Sequence, residues 1–144
     1  MKRRYTGNPV AVLSKSFAAA ALLASLSGCA AVGGDRAESA EGVALRMLRA
    51  VDAQDGATAC ADLAPETAAE VEESAEKPCP QAILEEKLPA PSAVTSTAVY
   101  GQWAQVRLTG DTVFLAVFPG GWRVVAAGCT PRGEAPYDCI LQGG

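Results

Sequence analysis

The sequence predicts an α+β domain in which helices come first and an antiparallel meander follows. Three observations lead to it. Apolar residues recur at spacings of three and four between Glu38 and Asp55, the helical period. From Ser92 onward the period changes to two, the signature of strands with one buried face. Four cysteines, Cys60, Cys79, Cys129 and Cys139, are spread over a chain small enough to need covalent ties.

In chain order, Val43, Ala44, Met47, Leu48 and Val51 form the apolar stripe of a first helix, with Arg46, Arg49 and Asp52 on its other side. Gly56 is the expected stop. A second helical region starts near Thr58 and carries Cys60 and Leu63. Pro65 suits a helix start and Glu66 complements the dipole there, so a helix is expected to about Ala75. Glu66, Glu70 and Glu73 make an acidic stripe, read as a solvated face and not as a cation site. Pro78-Cys79-Pro80 breaks the chain, a short helix is expected over 81–87, and Leu88-Pro89-Ala90-Pro91 breaks it again.

Four strands are expected over 93–100, 102–109, 112–118 and 121–127, with 137–141 as a short edge strand. Gly110-Asp111 and Pro119-Gly120-Gly121 read as hairpin turns. Ala104, Val106 and Leu108 alternate with Gln105, Arg107 and Thr109, so one face of that strand is wet. The strand with Val113, Leu115 and Val117 is apolar on both faces, which suits a central strand or the wall of an apolar pocket. Four to five strands offer too little sheet for a sandwich, so the helices are expected to cover one face.

The N-terminus reads as an export signal: Lys2, Arg3, Arg4 and Lys15 precede an apolar run from Ser16 to Leu26. That run is short of the roughly 20 residues needed to span a hydrocarbon core. Leu26-Ser27-Gly28-Cys29 resembles the lipobox of bacterial lipoproteins. The resemblance implies that Cys29 takes a diacylglyceryl group and that the chain is cut just before it. Residues 1–28 are then the signal, 29–37 a flexible lipidated tether and 38–144 one folded domain. Two acyl chains make a long-lived anchor, each buried CH₂ contributing about 0.8 kcal/mol. The expected location is the extracytoplasmic face of the cell membrane.

Of the 12 basic residues four leave with the signal, so the mature chain carries 8 against 16 acidic residues, a balance of −8. Such a surface repels nucleic acid, and no nucleic-acid partner is expected. With Cys29 assigned to lipid, the four remaining cysteines can pair in three ways. The sequence-local pairing, Cys60 with Cys79 and Cys129 with Cys139, is favoured. The chain has no histidine and no C-x-x-C, so neither a zinc site nor a Ser-His-Asp arrangement is expected, and no cofactor is called for.

The order of elements resembles nuclear-transport-factor-2-like and cystatin-like folds, where helices pack into a curved antiparallel sheet. The tail from Gly120 to Gly144, with Ala59-Cys60 and Cys79-Pro80, also resembles a group of small lipoproteins of high-GC Gram-positive bacteria to which no activity is attached. Some cone-shaped relatives of the first group are isomerases, dehydratases or hydrolases that use carboxylates and often histidine. Here the strands hold almost no carboxylate, and Asp111 is expected in a turn. The expectation is therefore a non-enzymatic module that binds an envelope protein or a small apolar ligand. The alternative is an isomerase- or hydrolase-like enzyme with Asp111 or a helix glutamate as base. Trp103, Trp122, Phe114 and Phe118 are the candidate ligand or partner patch, against plain core. Arg107 and Arg123 would act as a clamp only if they converge.

Overall fold

Nothing between Cys29 and Asp52 breaks a helix: the stretch has no proline and is rich in alanine, the best helix former. In the computed structural model α1 runs from Gly28 to Asp52, so it begins well before Glu38. The segment expected as a flexible tether carries helical backbone. Gly33 and Gly34 face open space and meet no neighbour that would distort the turn. The structure describes the backbone of residues 28–143 and side chains from Gly33 onward. The export signal over 1–27 and the side chain of Cys29 lie outside the described residues.

The first helix stops at Gln54, not at Gly56. Gln54 takes the left-handed conformation (φ 60), and Asp55 N–H donates back to the Ala50 carbonyl. Gly56 instead opens α2, Gly56–Ala61, whose cap is Asp55: its carboxylate accepts from Thr58 N–H at 3.0 Å. Gly56 is required by close approach, because a Cβ there would sit 1.8 Å from the Pro80 carbonyl oxygen. α3, Pro65–Ala75, follows the expected bounds. α4 is the single turn Cys79–Ala82, earlier and shorter than expected. The Pro78-Cys79-Pro80 stretch starts this turn; proline's fixed φ suits a first turn and its missing N–H costs nothing there.

The sheet is a five-stranded open meander in the order β1-β2-β3-β4-β5, every pair antiparallel. Its strands are β1 Val94–Tyr100, β2 Trp103–Leu108, β3 Asp111–Phe118, β4 Gly121–Arg132 and β5 Ala135–Gln142. The last hairpin is longer than the sequence predicts. Gly128, Pro131 and Pro136 interrupt the alternation. Gly128 (φ 67) and a register shift between Thr130 and Arg132 let the ladder continue through them. Pro136 lies on an edge strand, where a missing donor is tolerated.

The core joins helix and strand residues. Ala40, Ala44, Met47 and Leu48 of α1, with Leu63, Val71 and Ile83, share it with alternate sheet residues Ala104, Val106, Leu108, Val113, Leu115, Trp122 and Val124. Each such buried aliphatic side chain contributes about 1.5–3 kcal/mol. β5 pairs with β4 only as far as Ala126, so the lower part of β4 would have a bare edge. The α2–α3 connection covers it: Val124 N–H donates to the Asp62 carbonyl at 2.8 Å, and Ala64 N–H donates to Val124 at 2.8 Å. Asp62 is buried, and Arg46 of α1 meets its carboxylate with both Nε, at 2.8 Å, and Nη2. That fork ties α1 to the same connection.

The disulfides follow the sequence-local pairing: Cys60–Cys79 joins α2 to α4, and Cys129–Cys139 joins directly opposed residues of β4 and β5. Gly56→Ala tests how tightly the first of these regions is packed. The new methyl must push α2 away from the Pro80 carbonyl across the disulfide-linked pair of helices. Stability in urea should fall by roughly 1–3 kcal/mol with an unchanged denaturant slope.

Candidate functional site

The β2–β3 hairpin turns on Thr109 and Gly110, with Gly110 at φ 86. Asp111 is thereby the first residue of β3, opposite Leu108, and not a turn residue as expected. It is also buried, at 6% exposure, although it borders a surface cleft. One oxygen, Oδ1, accepts from Cys129 N–H at 2.9 Å. The other, Oδ2, has no hydrogen-bond partner among the described residues. Burial pushes the Asp111 carboxyl above its ordinary value, and the backbone N–H groups of Cys129, Thr112 and Gly128 oppose that rise without cancelling it. Of those three only Cys129 makes a full hydrogen bond.

Above Asp111 the long β4–β5 hairpin folds back over β2 and β3. Two contacts of Tyr137 fasten it. Its hydroxyl accepts from Gln105 Nε2 at 3.1 Å, and its ring meets Phe114 edge-on with centroids 5.0 Å apart. Between hairpin and sheet lies a cleft of about 430 Å³ bordered by Arg107, Asp111, Thr112, Thr130, Pro131 and Tyr137. Arg107 is exposed and makes no ion pair among the described residues, so its guanidinium is free to meet a ligand. The cleft thus combines a free cation, hydroxyls, one aromatic wall and a carboxyl of raised proton affinity. Such a set can bind an end group that both donates and accepts, and the carboxyl can also exchange a proton.

The four aromatic residues expected as one patch divide. Trp103 is 58% exposed, and Phe114 and Phe118 are partly buried. Register puts these three on one alternating set, because Trp103 pairs with Ala116 and Gln105 with Phe114. Trp122 pairs with Val117, belongs to the other set, and is 6% exposed within the core under the Arg36 guanidinium. A period of two sends Trp122 inward and Trp103 outward. Nor do Arg107 and Arg123 form a clamp. They pair with Thr112 and Ala116, four residues apart on β3, a separation of about 13 Å. Glu66, Glu70 and Glu73 are all exposed on α3. Tyr137 was legible only as the start of an edge strand; its role comes from the folded-back hairpin.

Comparisons with protein-family models, with curated proteins and with solved structures gave no match.

Because the folded-state affinity of Asp111 for a proton is raised, its charged form weakens the fold. That penalty is fully present above the folded value. It is relieved as pH falls through that value towards the unfolded carboxyl near 3.9, and it is absent below. Asp111→Asn keeps an oxygen for Cys129 N–H and removes the charge. The variant should be at least as stable as the parent at pH 7, and the difference should vanish as pH falls through that window. Chemical denaturation of both proteins across pH 3–8 checks it; a parallel pair of curves would show that Asp111 is not the group that titrates.

Proposed function

We propose that the protein is a lipid-anchored extracytoplasmic binding module whose cleft beneath the β4–β5 hairpin receives an envelope protein segment or a small ligand. The anchor is Cys29, carried by the Leu26-Ser27-Gly28-Cys29 motif behind a basic and apolar leader. Two disulfides suit an oxidising compartment outside the cytoplasm. In this reading the helices cover one face of the open sheet in the manner of nuclear-transport-factor-2-like or cystatin-like folds. The burial of alternate residues together with α1 supports that arrangement. The observation that carries the reading is the buried Asp111 carboxyl, with one oxygen unpaired, at the edge of a cleft that also holds a free arginine. The ligand this chemistry fits has an apolar body against Tyr137 and Pro131 and a polar end group near Arg107.

The same carboxyl favours a second reading. A buried acid of raised proton affinity beside a cleft has the properties of a general base or acid, so an isomerase- or hydrolase-like activity centred on Asp111 is the rival. In-cell cross-linking followed by affinity capture and mass spectrometry separates the two. A bound partner or small molecule captured by the parent, weakened in Asp111→Asn and lost from Arg107→Ala, with no turnover by any of the three, is the outcome expected of a binding module. Turnover on a hydrolase and isomerase panel that disappears in Asp111→Asn would instead establish the enzyme.

The address has its own check. Cys29→Ala leaves no thiol to take the lipid, so the variant should accumulate unprocessed or in the soluble fraction. A cleaved variant that stayed on the membrane would refute the anchor.

A further inference from the structure

We infer that the β1–β2 turn, with Tyr100 and Trp103, is the tip through which the domain touches the lipid bilayer; this rests on the proposed lipid anchor at Cys29. Tyr100 and Trp103 are direct cross-strand partners flanking a two-residue turn that Gly101 (φ 58) makes tight. They are the two most exposed large hydrophobic residues among those described, at 66% and 58%. Side by side they form a ring pair with polar edges, the kind of side chain enriched where bilayer meets water.

The direction of α1 places this tip next to the anchor. Arg36 Nη2 donates to the Gly101 carbonyl, and Thr97 Oγ1 donates to Glu41 at 3.1 Å. Moving forward along α1 therefore means moving backward along β1, and the helix start projects past the β1–β2 turn. Cys29 precedes Arg36 by two helical turns, about 10 Å at 1.5 Å per residue. The headgroup layer of one leaflet is about 5–7 Å deep. With the lipid attached at Cys29, an upright helix holds the turn just above the headgroups, and a tilt of the helix lays both rings into them.

The cleft at Asp111 lies at the opposite end of β2 from Trp103, about 17 Å away, and so faces outward from the cell.

The test uses full-length lipidated protein in vesicles of phosphatidylglycerol and phosphatidylethanolamine with brominated acyl chains. In Trp122→Phe the single remaining tryptophan, Trp103, should show blue-shifted emission and lose intensity to bromine. If that core substitution unfolds the domain, Trp103→Phe serves instead: the buried Trp122 should then be insensitive to bromine while the parent is quenched. Lipidated, vesicle-bound protein whose Trp103 emission is unchanged overturns the tip and leaves the anchor standing. An emission shift that follows protein concentration and not bromine overturns it in favour of a second copy. Absence of the diacylglyceryl mass on Cys29, with no vesicle binding, overturns anchor and tip together.

Discussion

The seating of α1 across the sheet is the constraint on which the rest of the structure depends. Ala40 and Ala44, one turn apart and without exposed surface, let the helix approach closely, and Met47 and Leu48 fill the space behind them. α1 touches β1, β2, β3 and β4, so its direction fixes the sheet as a whole. Polar contacts lock that direction at both ends. Arg36 holds the β1–β2 turn, and the Arg46 fork holds Asp62 and through it the uncovered edge of β4. Removing Arg46 would leave a buried carboxylate without its cation, which is why this pair matters more than a surface ion pair such as Lys77–Glu85.

A domain this small has little core to spare, and two disulfides reinforce it: Cys79 is part of the core with Cys60 packed against it, and Cys129 is buried. Cys60–Cys79 holds α2 and α4 together inside a strongly acidic segment that would otherwise repel itself. Cys129–Cys139 closes the base of the folded-back hairpin. In the chain-entropy account each loop, spanning 19 and 10 residues, stabilises by about 3 kcal/mol or somewhat less. The second bond also bears on the cleft, because Cys129 supplies the N–H that holds Asp111.

The parts of the fold that local pattern dictates were legible in the sequence. The stripe of Val43, Met47 and Val51, the proline start at Pro65, and the alternation in β2 all appear as written. The local cysteine pairing was legible because each pair lies close in sequence, 19 and 10 residues apart. What failed was governed by contacts between distant segments. Gly56 looks like a stop until Pro80 is placed against it. Whether Trp122 belongs to the core or shares a patch with Trp103 stays open until its pairing with Val117 fixes the strand parity. Asp111 reads as a polar turn residue, and only the folded-back β4–β5 hairpin buries it. No residue near Asp111 in sequence announces that, since its one partner lies 18 residues on.

The burial of Asp111 is a local cost that the fold carries in one place. An unpaired buried acceptor weakens a protein by about 1–3 kcal/mol. An asparagine could hold Cys129 N–H as well and would carry no charge. A carboxyl therefore adds nothing to the fold here that a neutral amide would not supply. What it adds is negative charge, or a transferable proton, at the border of a cleft that also presents the free Arg107. The strain is local because the cross-strand disulfide and the Tyr137 contacts hold the hairpin closed over it. Stability is thus surrendered at a point where charge, cation and cavity meet, and that coincidence is what supports the proposed binding role of the cleft.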